Sequence, residues 1–209
     1  YKGKLEIKVD TVKGGQTYES VIPGDMLAVV AWPDKIELTD KVVNGKIRWK
    51  TPKGKQYYIY TITTKPGYVI HPEHGKRLVD VYFNRFESKM DKAGREGMNY
   101  FFQDELSYPI DMLTWSDDFR DEFRRRKGYD IIPYLPALKN NIGEITPKIR
   151  LDYCEVLMDL SEERYYKPIY DWHAERGLMY GCDNLSRGKD PTAYIDYFRA
   201  MAWFTAPGN

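Results

Sequence analysis

The stretch Met98-Asn99-Tyr100-Phe101-Phe102-Gln103-Asp104-Glu105 decides how the chain is read. Its first part is rich in aromatics and free of Gly and Pro, which suits a β-strand. The strand then runs straight into two carboxylic acids. A second stretch repeats the arrangement, with Leu178-Met179-Tyr180-Gly181-Cys182 leading into Asp183. Helical patterns surround both. Leu78, Val79, Tyr82, Phe83 and Phe86 recur at helical spacing, predicting an amphipathic helix over 75–89. Thr114 or Ser116 can cap another helix that carries Trp115, Phe119 and Phe123 on one face. Its last turn holds Arg124-Arg125-Arg126-Lys127, where cations suit the helix dipole, and Gly128 ends it.

Thr146-Pro147 opens a long helical pattern that runs to Arg176 and stops at Gly177, with a kink or break expected near Pro168. Asp190-Pro191 opens a last helix, with Tyr194, Ile195, Phe198 and Met201 inward. Tyr68-Val69-Ile70 is a short strand candidate. Strands alternating with helices imply βα units and a parallel sheet. The fold class expected for 67–209 is therefore α/β. The units are too few to close a barrel and form either part of one or a small open sheet.

Residues 1–66 have a different texture, that of a small antiparallel β-module. Leu5, Ile7 and Val9 alternate with charged residues, and Met26–Trp32 is a short apolar run closed by Pro33-Asp34. Asn44-Gly45 between Val42-Val43 and Ile47 marks a hairpin, because both residues tolerate positive φ. Trp32 and Trp49 suit the core of this module; a carbohydrate-binding role is the other reading. The first residue is Tyr1, and Ala206-Pro207-Gly208-Asn209 reads as a loop after a helix, so the chain is expected to be part of something longer.

Composition excludes several classes. Of 209 residues, 32 are Lys or Arg and 31 Asp or Glu, a net charge of +1 that argues against a nucleic-acid binder relying on bulk electrostatics. No apolar run approaches the ~20 residues of a membrane span. Cys154 and Cys182 make neither a disulfide framework nor a zinc site. Aromatics stand out at 15%, with 18 Tyr and 5 Trp, side chains suited to surfaces both apolar and hydrogen-bonding.

In parallel α/β folds, functional groups sit at the C-terminal ends of strands. Strict alternation sends Asn99, Phe101, Gln103 and Glu105 to one face, and Met98, Tyr100, Phe102 and Asp104 to the other. The first set is more polar and suits a pocket; the second is greasier and suits helix packing. Glu105 is thus the expected pocket carboxyl, with Asp104 bonding backbone or a neighbouring loop, provided no bulge interrupts the strand. A strand-end Glu beside Phe101, Tyr108 and Trp115 can act as an acid with its pKa raised by desolvation. Glycosidic hydrolysis needs such a proton donor and a second carboxylate across the bond, and aromatic faces stack on sugar rings. Asp183 suits a hydroxyl or ion contact. Glu162-Glu163 reads as a solvated ion-pairing site near Arg164, His173 as a structural histidine, and His71 with His74 as a weak metal pair. No P-loop, GxSxG or GxGxxG is present.

The runs Asn99 to Leu106, Trp115 to Phe123, Arg126-Lys127-Gly128-Tyr129-Asp130 and Pro133-Tyr134-Leu135-Pro136-Ala137-Leu138 resemble bacterial glycoside hydrolases of the α-L-rhamnosidase type, glycoside hydrolase family 106 and its relatives. Arg150-Leu151-Asp152-Tyr153, Asp171-Trp172-His173 and Asp196-Tyr197-Phe198-Arg199 with Trp203 fit as well. The resemblance covers 67–209; 1–66 resembles, less specifically, the β-rich insertion preceding that region. It implies a partial (β/α) barrel catalytic region within a longer chain, an oligosaccharide or polysaccharide substrate, hydrolysis with inversion by a carboxylic acid pair, and often a bound calcium ion. Glu105 falls where the family places a catalytic acid at a strand end. The first reading is therefore one wall of a sugar site with Glu105 as the acid and Asp104, Tyr108, Trp115, Asp183 and Trp203 as substrate-binding neighbours; the second carboxylate has no place in this sequence and is expected beyond Asn209. The resemblance also implies a periplasmic or secreted enzyme. The rival readings are a non-catalytic carbohydrate-binding or scaffold protein that keeps the fold, and a small α/β enzyme unrelated to sugars.

Overall fold

In chain order the strands of the β-rich part are β1 (Lys2–Val12), β2 (Thr17–Val21), β3 (Met26–Trp32), β4 (Ile36–Glu37), β5 (Lys46–Lys50) and β6 (Tyr57–Pro66). Then come α1 (His74–Leu78), a wider π turn (Val79–Phe83), α2 (Asn84–Glu87), α3 (Lys92–Gly97) and β7 (Tyr100–Leu106). The chain continues through α4 (Phe119–Lys127), a 3₁₀ segment (Ile132–Leu138), α5 (Thr146–Ser161), a second π turn (Glu162–Tyr166) and α6 (Lys167–Ala174). It ends with β8 (Met179–Asn184), α7 (Tyr197–Met201) and β9 (Ala206–Pro207). This computed structural model describes residues 1–106, 108–184 and 195–208, with Glu105 and Asn184 given by backbone alone. Two units emerge: Tyr1–Gly67 with Trp115–Tyr153, and Tyr68–Thr114 with Cys154–Asn209. The segment around α4 thus packs with the β-rich residues, although it lies within the stretch that the sequence groups as 67–209.

In the first unit, β1-β6-β3-β4 form an antiparallel sheet and β2-β5 a second pair. Asn44 and Gly45 both take positive φ, 50° and 69°, and make the expected turn. Beyond a single bridge from Val43 to Lys46, however, β5 pairs with β2 rather than with the residues just before the turn. Val29, Ala31, Leu38, Ile47, Tyr57 and Ile59 form a core between the two sheets. The opposite sheet face buries Leu5, Ile7 and Ile62. The 3₁₀ segment and the residue after it reach this sheet, with Trp32 Nε1 donating to the Pro133 carbonyl at 3.0 Å and Lys139 Nζ to the Ile7 carbonyl at 3.0 Å. Phe119 stacks between Trp115 (4.8 Å) and Tyr153 (4.6 Å). Gly128 ends α4 at φ 79°, and the basic run is spent on ion pairs with Glu122, Asp130 and Asp152. The capping turn lies later than expected: α4 begins at Phe119, after Asp118, which accepts from the Ser116 hydroxyl at 2.7 Å.

In the second unit, β7-β8-β9 form a parallel sheet in sequence order. Helices cover one face. Phe101 packs on Phe83 (5.2 Å) and His173 (5.7 Å), and Tyr180 stacks on His173 at 4.5 Å. The other face carries Tyr100, Phe102 and Met179, each more than two-fifths exposed. This reverses the expected assignment: the set holding Phe101 and Gln103 packs on helices, and the greasier set is open. Tyr68-Val69-Ile70 is a turn, not a strand. Its carbonyls are bonded by side chains, Val69 by Tyr108 Oη (2.5 Å) and His74 Nδ1 (2.6 Å), and Ile70 by Arg164 Nη1 (2.8 Å).

The break expected near Pro168 is the π turn just before it. Pro168 has no N–H, so the α-helical bond to the Arg164 carbonyl cannot form, and the helix widens there. The carbonyls of Arg164 and Tyr165 then lie against Gly75, where a Cβ would stand 2.8 and 2.6 Å from them. The expected helix start at Asp190-Pro191, with Tyr194, lies outside the described residues. The described helix follows Asp196, whose carboxylate accepts from the Arg199 N–H at 3.0 Å. Ile195 is buried, but Phe198 is 84% exposed rather than inward. No described helix is long and apolar enough to cross a membrane.

Candidate active site

The C-terminal ends of β7 and β8 lie side by side and carry Asp104, Glu105 and Asp183. Their register is not continuous. Gln103 pairs with Cys182 and Leu106 with Asn184, so β7 takes three steps where β8 takes two. The extra residue is a bulge at Asp104-Glu105. Alternation cannot be counted through a bulge, so the parity argument that selected Glu105 over Asp104 does not hold. The Glu105 side chain lies outside the described structure.

Gln103 faces the helices, donating through Nε2 to Tyr165 Oη at 2.8 Å and accepting from the Tyr180 hydroxyl. Burial raises the pKa of both tyrosines, which keeps their hydroxyls protonated around this amide. Asp104 is exposed and borders a cavity of about 290 Å³ lined also by Leu78, Tyr82, Phe83, Phe102 and Tyr180. Phe102 and Tyr100 lie across β8 because Gly181 has no side chain. A Cβ there would come within 2.7 Å of Phe102 Cδ2 and 3.0 Å of Tyr100 Cε2. Next to Gly181, burial pushes the Cys182 thiol up to about 12, with the charges of Asp183 and Asp104 adding to the effect. This cysteine is an inert, buried thiol.

The remaining expected site residues scatter. Asp183 is half-buried at the end of β8. Tyr108 is 2% exposed, its hydroxyl held by Val69 and its ring packed on Tyr165 at 4.7 Å. Trp115 is also 2% exposed, in the core of the first unit, where its backbone N–H donates to the Gly3 carbonyl at 3.0 Å. Neither ring has a face left for a sugar, and their aromatic bulk serves packing. Trp203 lines a different, shallow cavity with Tyr170, Arg199 and Glu162, its ring edge-on to Tyr170 at 5.9 Å.

The other acids and histidines have structural duties. Glu162 pairs with Arg199 at 2.6 Å, and Asp159 does so at 2.8 Å, whereas the nearer Arg164 is buried against Ile70. His173 is buried, with Nδ1 on the Ile169 carbonyl at 2.7 Å, and burial lowers its pKa. His71 stacks on Tyr68 at 4.4 Å, and His74 Nδ1 is committed to Val69. Among the described residues no three His, Cys, Asp or Glu side chains converge. The residues that sequence reasoning missed are Tyr100 and Phe102, the open aromatic face, and Gln103 as the bridge beneath it. The alternation marked these sets, but greasiness was the wrong guide to which set is covered.

Residues 10–195 match the family of α-L-rhamnosidases, glycoside hydrolase family 106. A protein of Formosa agariphila (strain DSM 15362), named "Putative beta-glucuronidase", is 28% identical over 182 residues, covering 78% of this chain and 15% of that protein. The solved rhamnosidase from Novosphingobium sp. PP1Y superimposes with a TM-score of 0.58 at 20% identity, over 81% of this chain and 18% of its own length. The chain thus spans less than a fifth of either relative.

Proposed function

Since the chain belongs to glycoside hydrolase family 106, the α-L-rhamnosidase family, we propose that it builds one wall of a glycosidase active site. The observation that carries this reading is the pair of acidic strand ends, Asp104-Glu105 and Asp183, on adjacent parallel strands beside an uncovered aromatic face. Parallel sheets are normally covered on both faces. A sheet with helices on one side and Tyr100, Phe102 and Met179 open on the other fits an arc of a (β/α) barrel whose remaining strands belong to a longer protein. The β-rich residues 1–66 precede it as an insertion module.

In this reading Glu105 protonates the leaving glycosidic oxygen as the sugar develops oxocarbenium character. Asp104, on the cavity rim, and Asp183 accept hydrogen bonds from sugar hydroxyls and fix the ring. Tyr100 and Phe102 provide the apolar platform. The partner carboxylate, which activates the water, comes from elsewhere in the longer protein, and inversion requires it roughly 6.5–9.5 Å from the acid. The substrate is an α-L-rhamnoside-like oligosaccharide or polysaccharide met in the periplasm or outside the cell.

The test is hydrolysis of an aryl α-L-rhamnoside, with an aryl β-glucuronide as second substrate, by the protein carrying this chain. Glu105→Gln should lower kcat by roughly 10²–10⁴-fold, the usual worth of a general acid, and NMR of the first product should show the inverted anomer. Wild-type turnover that survives the substitution would remove Glu105 from the mechanism. An inert wild type on every aryl glycoside would favour a binding or scaffold role.

A further inference from the structure

A second feature of the molecule lies in the first unit and is built differently. Where the four-stranded sheet runs past the segment that covers it, a groove of about 460 Å³ opens, within the size range of small-ligand sites. Its floor follows from strand register. Thr11, Tyr58 and Trp32 form one cross-strand row, and Val9 and Tyr60 the next. Tyr58 is 42% exposed, while Trp32 and Tyr60 line the floor with little exposed surface. Asn140 and Asn141 form the far wall.

The wall is polar and incompletely satisfied. Asn140 keeps its Oδ1 buried with no hydrogen-bond partner. Buried polar atoms without partners are rare and call for an explanation. Asn141 spends its Oδ1 on the Gly143 N–H (2.9 Å) and the Thr146 hydroxyl (3.2 Å), which leaves its Nδ2 as the donor. Tyr58 Oη accepts from Gln56 at 3.1 Å and retains its own proton to donate. No charged side chain is among the lining residues. A ligand here must therefore be neutral, offer an apolar face to an aromatic ring, and carry groups that both donate and accept. A saccharide hydroxyl does both, so it satisfies the Asn140 amide whichever way that amide is turned.

We propose that this groove is a non-catalytic binding site for a neutral saccharide, with Tyr58 as stacking platform and Asn140 and Asn141 as hydroxyl partners. Neither Asp104 nor Glu105 is among its lining residues, and it would hold a polymeric substrate without cleaving it. The inference rests on the glycosidase reading only for the choice of sugars as first probes.

The experiment is ligand-observed saturation-transfer NMR, with titration, on the protein carrying this chain. The probes are the methyl glycosides of L-rhamnose, D-galactose and D-glucose, with methyl β-D-glucuronide as the charged control. At least one neutral glycoside should bind. Tyr58→Ala and Asn140→Ala should each weaken it about tenfold, the worth of one aromatic contact or one hydrogen bond. Tyr58→Phe, which keeps the ring and loses only the hydroxyl, should weaken binding less than Tyr58→Ala does, and thermal melts should show all three variants folded. Glu105→Gln should leave this binding intact even where it abolishes hydrolysis, so the two sites fail independently. Binding unaffected by Tyr58→Ala and Asn140→Ala, equal binding of the glucuronide, or no binding of any neutral glycoside would overturn the proposal.

Discussion

Gly75→Ala is the substitution whose outcome the structure fixes most sharply. Alanine is the better helix former by about 1 kcal/mol in a helix interior, so on propensity alone the change should stabilise α1. The surroundings say otherwise. The new methyl would lie 2.6 Å from the Tyr165 carbonyl oxygen, 2.8 Å from that of Arg164 and 3.0 Å from Tyr165 Cα. A C–H···O contact needs roughly 3.3 Å or more, so α1 or the π turn must retreat by about 0.7 Å. All three obstructing atoms are backbone, and the turn is pinned by the Arg164–Ile70 bond at 2.8 Å. Overpacking of this kind costs about 1–3 kcal/mol. Gly75 sits in the first turn of α1, where propensity counts for less, so the net loss should be about 1–2 kcal/mol. For a chain of this length that lowers the melting temperature by about 2–8 °C. Gly97→Ala is the matched control, a helix-end glycine with nothing within 4 Å, and should cost nothing. Circular-dichroism melts of the three proteins decide it. A Gly75→Ala protein that melts at or above wild type, beside an unperturbed Gly97→Ala, would refute the close crossing of α1 and the π turn.

Two further outcomes follow from buried titratable groups. Cys182, with its thiol pushed up to about 12, should stay unlabelled by a disulfide reagent at pH 8 and react only in denaturant; rapid labelling of the native protein would contradict its burial. Burial holds His74 and His173 below the ordinary imidazole value of 6.5, so the unfolded chain takes up protons first and stability should fall as pH drops below about 6.5. Asp130 and Asp152, where Arg120 and Lys148 outweigh the effect of burial, add their loss only below the ordinary carboxylate value of 3.8. Urea unfolding at pH 7 and pH 5 should therefore differ less in His74→Gln and His173→Gln than in wild type, and an unchanged difference would reassign the window.

Periodicity made the elements legible, and punctuation made several of the ends so. Leu5 and Ile7 alternate with charges and are buried; Asn44-Gly45 turns; Gly128 and Gly177 stop helices in left-handed conformation. What periodicity could not show was which element meets which. Nothing local to Ile47 or Trp49 says that β5 pairs back to β2. Nothing near Trp115 says that its backbone N–H bonds Gly3 of β1 and that the segment belongs with the β-rich residues. Long-range pairing depends on complementary surfaces far apart in sequence, and a single sequence does not report them. The same limit explains Tyr68-Val69-Ile70. Its β-branched, aromatic texture suits a strand, but tertiary bonds from Tyr108, His74 and Arg164 take its carbonyls instead.

The acid pair shows a different limit, and a more useful one. The parity of a strand is reliable only while the strand is regular, and β7 stops being regular at Asp104-Glu105. Gln103, bonded among the helices, and Leu106, 7% exposed, both belong to the covered face, with two residues between them instead of one. A trace of this survives in the sequence. The polar Gln103 is anchored by tyrosines and the apolar Leu106 needs burial, and their spacing of three does not fit period two. Such an irregularity weakens the ladder, even as it returns Leu106 to the covered face. Bulges collect at sheet edges and beside active sites, where they re-aim side chains. The extra residue falls at the C-terminal end of a parallel strand, on two adjacent carboxylic acids. The position of the bulge is therefore a better argument for catalysis here than the parity it destroys.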